Sequence, residues 1–111
     1  MPEEQENKKS KQGDAKKEGS DEDNVIYIGD KPFMNYVTGV VMQFTKQGSD
    51  EVMIRARGKF ISRAVDVAEV SRKRFLNDKD IGVKNIEIDS EEFENKEGKQ
   101  VNVSTIEITL G

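Results

Sequence analysis

Non-polar side chains are nearly absent from the first 23 residues and regularly spaced in the rest. Only Met1, Pro2 and Ala15 interrupt a run of charged, amide, hydroxyl and glycine positions over residues 1–23. Such a segment buries too little apolar surface to offset the entropy of ordering it, so a disordered tail is expected there. From Asn24 the pattern changes. Val25, Ile26, Tyr27 and Ile28 are a β-branched and aromatic run that predicts a short strand over Asn24–Ile28, followed by a Gly29-Asp30 turn. Pro32 suits a first helical position, where its fixed φ helps and its missing N–H is not needed. Met34, Val37, Val41 and Phe44, with Val40 beside them, then recur at three- and four-residue steps and predict a helix ending near Gln47-Gly48.

Val52, Ile54 and Ala56 alternate with Met53, Arg55 and Arg57, which predicts a strand with one apolar side and one side ending in two arginines. Gly58 turns the backbone, and Ile61, Ala64, Val65 and Ala68 give the inner face of a second helix running to about Phe75. Ile86 and Ile88 mark one face of a third strand, and Ile106, Ile108 and Leu110 one face of a fourth, with a turn-rich tip at Glu94–Lys99 between them. The expected order is β-α-β-α-β-β, in the α/β (α+β) class. Right-handed β-α-β crossovers would put both helices on one face of a four-stranded mixed sheet, with the last two strands forming a long C-terminal hairpin arm. The expected domains are the tail, 1–23, and one fold, 24–111, thin enough that dimerisation would help it.

Composition narrows the function. There is no cysteine and no histidine, so disulfides, thiolate metal sites, the commonest general base and the best nucleophile are all missing. No leader-like or membrane-length apolar run occurs, and a soluble, intracellular protein is expected. Net charge is −4, which by itself argues against a generic polyanion binder. Its distribution argues the other way. Residues 55–74 hold seven cations against Asp66 and Glu69, whereas residues 86–99 hold six acids against Lys96 and Lys99.

Four of those cations, Arg55, Arg57, Lys59 and Arg63, fall within nine residues. Two arginines at i and i+2 on a strand emerge from one face, and guanidinium forks fit phosphate oxygens. Gly29-Asp30-Lys31-Pro32 precedes a helix but lacks the glycine spacing and Lys-Ser/Thr pair of a P-loop. Asp66 and Glu69 are expected to pair with Arg63, Arg72 and Lys73 on a solvated helix face rather than to do chemistry. In the acidic hairpin, Phe93 and Glu94 stand where a calcium loop needs a ligand and a glycine, so no dedicated metal site is expected.

Asn24–Tyr36 (NVIYIGDKPFMNY), Arg55–Asp66 (RARGKFISRAVD), Arg74-Phe75-Leu76 and Val103–Ile108 (VSTIEI) resemble, in order and spacing, the Alba family of small dimeric nucleic-acid-binding proteins of archaeal chromatin. The resemblance covers residues 24 to about 110. It implies a fold like the C-terminal domain of a bacterial translation initiation factor. It also implies a homodimer whose bodies lie along double-stranded DNA while the arms reach toward the minor groove, the same surface also taking RNA. Lys31, Arg55, Arg57 and Lys59, with Arg63, would touch phosphates, as would Lys96 and Lys99 on the arm. Asn24, Asn35 and Tyr36 would hydrogen-bond near the nucleic-acid backbone, and Phe75 would join neighbouring dimers into a higher assembly on DNA. No cofactor, small-molecule substrate or membrane partner is implied, and the expected location is cytoplasmic and chromosome-associated.

Two departures modify this expectation. Asp30 stands where the family commonly has the first of two lysines, a site of acetylation, and the arm is acidic. Like charge against DNA lowers affinity. The sequence therefore predicts a non-enzymatic, dimeric DNA-binding chromatin protein, weaker or more selective than basic relatives. An RNA chaperone or ribonucleoprotein subunit, and a protein-interaction domain with reduced nucleic-acid binding, are the competing readings.

Overall fold

The computed structural model describes residues 24–111, and the tail expected over 1–23 lies outside the described residues. The elements are β1 (Val25–Tyr27), α1 (Phe33–Thr45), β2 (Val52–Arg57), α2 (Ile61–Val70), β3 (Val83–Glu94) and β4 (Gln100–Leu110), in the expected β-α-β-α-β-β order. They form one mixed sheet, β1-β2-β4-β3. β1 runs parallel to β2, and the β2–β4 and β4–β3 pairs are antiparallel.

Strand alternation and register together assign every side chain to a face. Val52, Ile54 and Ala56 lie opposite Leu110, Ile108 and Ile106, so these six share the side covered by the helices. Val37, Val40 and Phe44 of α1, Ala64, Val67 and Ala68 of α2, and Leu76 complete that core. Burying each of the larger aliphatic side chains contributes about 1.5–3 kcal/mol before conformational entropy is set against it.

The phase of each helix differs from the sequence expectation. In α1, Tyr36, Val37, Val40 and Phe44 point inward, while Met34 is exposed and Val41 only flanks the core. In α2 the buried positions are Ala64, Val67 and Ala68, whereas Val65, expected inside, is exposed. Val67, Ala64 and Ala68 span an arc of about 100° round the helix, and Val65 lies some 60° beyond its edge. Pro32 precedes α1 rather than opening it: its ψ of 141° is extended, and its carbonyl accepts the Asn35 N–H at 3.0 Å. Helix α2 passes at Ser71 into a wide π turn, Ser71–Phe75, closed by the Leu76 N–H on the Ser71 carbonyl at 3.0 Å.

Ile86 and Ile88 share one face of β3, as expected, and that face stands open to water. Their register opposite Ile108 and Ile106 puts them on the helix side, but β3 is the edge strand and the helices stop short of it. They are 55% and 78% exposed. The arm is as expected. β4 pairs with β2 only over Thr105–Leu110 but with β3 back to Gln100. About five residues per strand, roughly 17 Å, thus continue as a two-stranded ribbon. Its tip is held by the Asn95 side-chain oxygen, which accepts the N–H groups of Glu97 and Lys99 at 2.9 and 3.0 Å. Among the described residues no helix is long and apolar enough to cross a membrane.

Candidate nucleic-acid interface

Because β1 and β2 are parallel, their carboxyl ends finish side by side, and each leads directly to the N-terminus of a helix. Helix N-termini present unpaired N–H groups and a partial positive charge, and ligands of α/β sheets favour this end of parallel strands. The β1–α1 loop carries Lys31. The β2–α2 turn carries Lys59, and the first turn of α2 carries Arg63. Sequence positions some thirty residues apart therefore meet at one cationic corner.

The loop is fixed by a small buried network. The Tyr36 hydroxyl oxygen accepts the N–H groups of Gly29 and Lys31, both at 3.0 Å. Arg63 donates from Nη1 to the Gly29 carbonyl at 2.9 Å, and its guanidinium carbon lies 5.7 Å from the centre of the Tyr36 ring. A β-carbon at Gly29 would stand 3.4 Å from the tyrosine oxygen, at the near limit of ordinary van der Waals contact. Gly58, at φ +60°, makes the second turn in a conformation that side chains with a β-carbon resist. It delivers Lys59, whose ammonium lies 5.4 Å from the centre of the Phe60 ring.

The face of the sheet away from the helices adds Arg55 and Arg57, side by side as the alternation predicts. Both have carboxylate partners. Arg55 donates from Nε to Glu107 at 2.6 Å and from Nη1 to the Tyr27 hydroxyl at 3.3 Å. Burial works against its charge, but Glu107 and Tyr27 more than offset this, so its pKa lies above the ordinary arginine value. Arg57 pairs with Glu91 across β4 at 2.8 Å. An open trough of about 700 Å³ runs over this face, with Tyr27, Arg55 and Arg57 on one flank and Glu87, Asp89 and Glu91 on the other. The face is thus basic over β2 and acidic over β3.

The other expected contact residues are scattered. Asn35 is exposed in the first turn of α1, near the corner, and Asp30 is exposed beside Lys31. Tyr36 is buried with its oxygen already engaged, so its role is to hold the loop. Asn24 lies at the opposite end of β1, where its amide donates to the Glu51 carbonyl at 3.0 Å. Lys96 and Lys99 are exposed at the arm tip, which projects past the corner. Phe75 is half-exposed at the far end of α2. Arg72 and Lys73 are there too, paired with Glu69 at 2.6 and 3.2 Å, so the basic zone at 55–74 divides between two ends of the molecule. Arg63, expected to join those acids, donates to the Gly29 carbonyl instead.

Sequence reading passed over Tyr27, Glu91 and Glu107, which share the open face with the arginines. Parity along the strands would have flagged them, since each is odd-numbered where the core positions are even. The pairing itself needed the register.

A family model, Alba, matches residues 24–90. A protein of Methanocella arvoryzae named DNA/RNA-binding protein Alba is 55% identical over 89 residues, covering 80% of this chain and 90% of that one. A protein of the same name from Methanothrix thermoacetophila is 57% identical over 90 residues, covering 81% and 97%. The solved structure of Alba from Thermoplasma volcanium superposes with a TM-score of 0.71 at 46% identity, covering 79% of this chain and 99% of that one. Family model, relatives and fold agree: the chain belongs to the Alba family.

Proposed function

We propose that this protein is a homodimeric, non-enzymatic nucleic-acid-binding protein that grips phosphates of double-stranded DNA in chromatin and takes RNA through the same face. The observation that carries this is the convergence of Lys31, Lys59 and Arg63 at the paired N-termini of α1 and α2, with Arg57 beside them. The names of its relatives, which include both DNA and RNA, support the same reading. Pairing of two copies is supported by the ledge of Ile86 and Ile88, which continues the apolar face beyond the helices and stands open to water. Phe75 is available for contact between neighbouring dimers. Asp30 and the acidic arm make the binder weaker or more selective than a uniformly basic one.

A titration with duplex DNA, single-stranded DNA and RNA at two ionic strengths tests the proposal. A dimer that neutralises about six phosphates should lower log K against log salt with a slope of roughly −5. A flat salt response overturns the phosphate grip. Crosslinking in cells, with DNA and RNA fragments counted separately, reads which polymer dominates.

A further inference from the structure

The two arginines of the open face are held in different ways. Arg55 and Glu107 are direct neighbours across β2 and β4, 2.6 Å apart, with side chains 42% and 21% exposed. Tyr27 gives that guanidinium a second partner. Arg57 instead reaches over the intervening strand, where it faces Thr105 in register, to Glu91 on β3. Both ends of this pair are more than half exposed, 58% and 56%. Ion pairs exposed to that degree are weak, are screened by salt and exchange readily with competing anions. A half-buried pair with an extra hydrogen bond does not exchange so easily.

We propose that Glu91 is a tethered competitor for Arg57, occupying in the free protein the position a phosphate takes in the complex, and thereby sets the affinity of the interface. The inference rests on the nucleic-acid reading above. A phosphate arriving at the corner must displace the carboxylate, and the freed Glu91 then stands close to it as a like charge. Glu91 lies at the root of the arm, opposite Val103, so the exchange also releases the link that ties the arm to the end of β2. Arg55 keeps Glu107 throughout and shapes the face without joining the exchange.

The test uses the full chain and four variants, E91Q, R57A, R57A/E91Q and E92Q, titrated with a short DNA duplex at low ionic strength. Glu92 is the adjacent arm carboxylate on the opposite side of β3, so E92Q makes the same change in net charge without touching Arg57. E91Q should bind about two- to fivefold tighter than the parent, E92Q should gain much less, and in the R57A background E91Q should gain no more than E92Q gains in the parent. Equal gains for E91Q and E92Q, or a gain from E91Q as large in the R57A background as in the parent, overturn the competitor. A second readout needs no nucleic acid: the Nε–H resonance of Arg57 should move on E91Q and stay in place on E92Q. If it stays in place in both, the competitor is overturned while the binding reading stands. If it moves as expected but R57A binds like the parent, Arg57 is no phosphate contact and the proposal falls with that part of the reading.

Discussion

On the helix side of the sheet, Ile54, Ile108 and Leu110 are shut away from water. One residue away on each strand, on the opposite side, Arg55, Glu107 and Thr109 are only partly buried. The same backbone thus separates two kinds of specification. The covered side depends on volume and burial, where a lost methylene leaves a void. The open side depends on charges matched at a distance, where water and salt supply a substitute for either partner. Stability should therefore respond to the first side, and ligand affinity to the second.

Ile54→Ala tests the covered side hardest. It should cost about 2–5 kcal/mol in chemical denaturation, since the cavity lies beneath both helices. Open-face changes such as R57A should stay within about 1 kcal/mol, and a comparable loss there would erase the distinction. Tyr36→Phe probes the rim between the two sides. It removes the oxygen that accepts from Gly29 and Lys31, and two part-buried donors left without it should cost about 1–3 kcal/mol. Faster amide exchange at Gly29 and Lys31, with unchanged exchange in β2, would place the damage in the loop.

The smallest effect belongs to a part-buried pair at the end of α2. Hydrogen bonding to Arg72, assisted by Lys73, outweighs partial burial and holds the Glu69 carboxyl below the usual glutamate value. A lowered folded pKa means its contribution is complete above the ordinary glutamate range and lost as pH falls through the lowered value. Screened by solvent and confined to neighbouring turns, it amounts to a few tenths of a kcal/mol. In thermal unfolding E69Q should be less stable than the parent by that small increment near neutrality and converge on it in acid, where the parent's Glu69 is protonated.

The element order, the arm and the shared face of Arg55 and Arg57 were legible in the sequence because each follows from a local period or a turn residue. Helix phase was less so. Met34 and Tyr36 are both apolar enough to fill a stripe, and only the two N–H groups that need the tyrosine oxygen decide between them. The shared face of Ile86 and Ile88 was legible too, but alternation reports which face a residue takes, not whether anything covers that face. The pairs of Arg55 with Glu107 and Arg57 with Glu91 join positions distant in the chain. No pattern along the sequence announces them, and without them the open face reads as plainly basic. The corner itself was legible only in pieces, since parallel strands bring Lys31 beside Lys59.

The acidity of β3 has one more consequence. This strand lies at the border of the sheet and offers its outer row of peptide groups to any other chain that could lie alongside. Glu87, Asp89, Glu91, Glu92 and Glu94 make such stacking electrostatically unfavourable, as charged borders do in other sheet proteins. A variant stripped of all five to strengthen its hold on polynucleotides would be expected to precipitate as ribbons of its own copies. Carboxylates that weaken the attraction to the ligand thus also oppose the pairing of one edge strand with another.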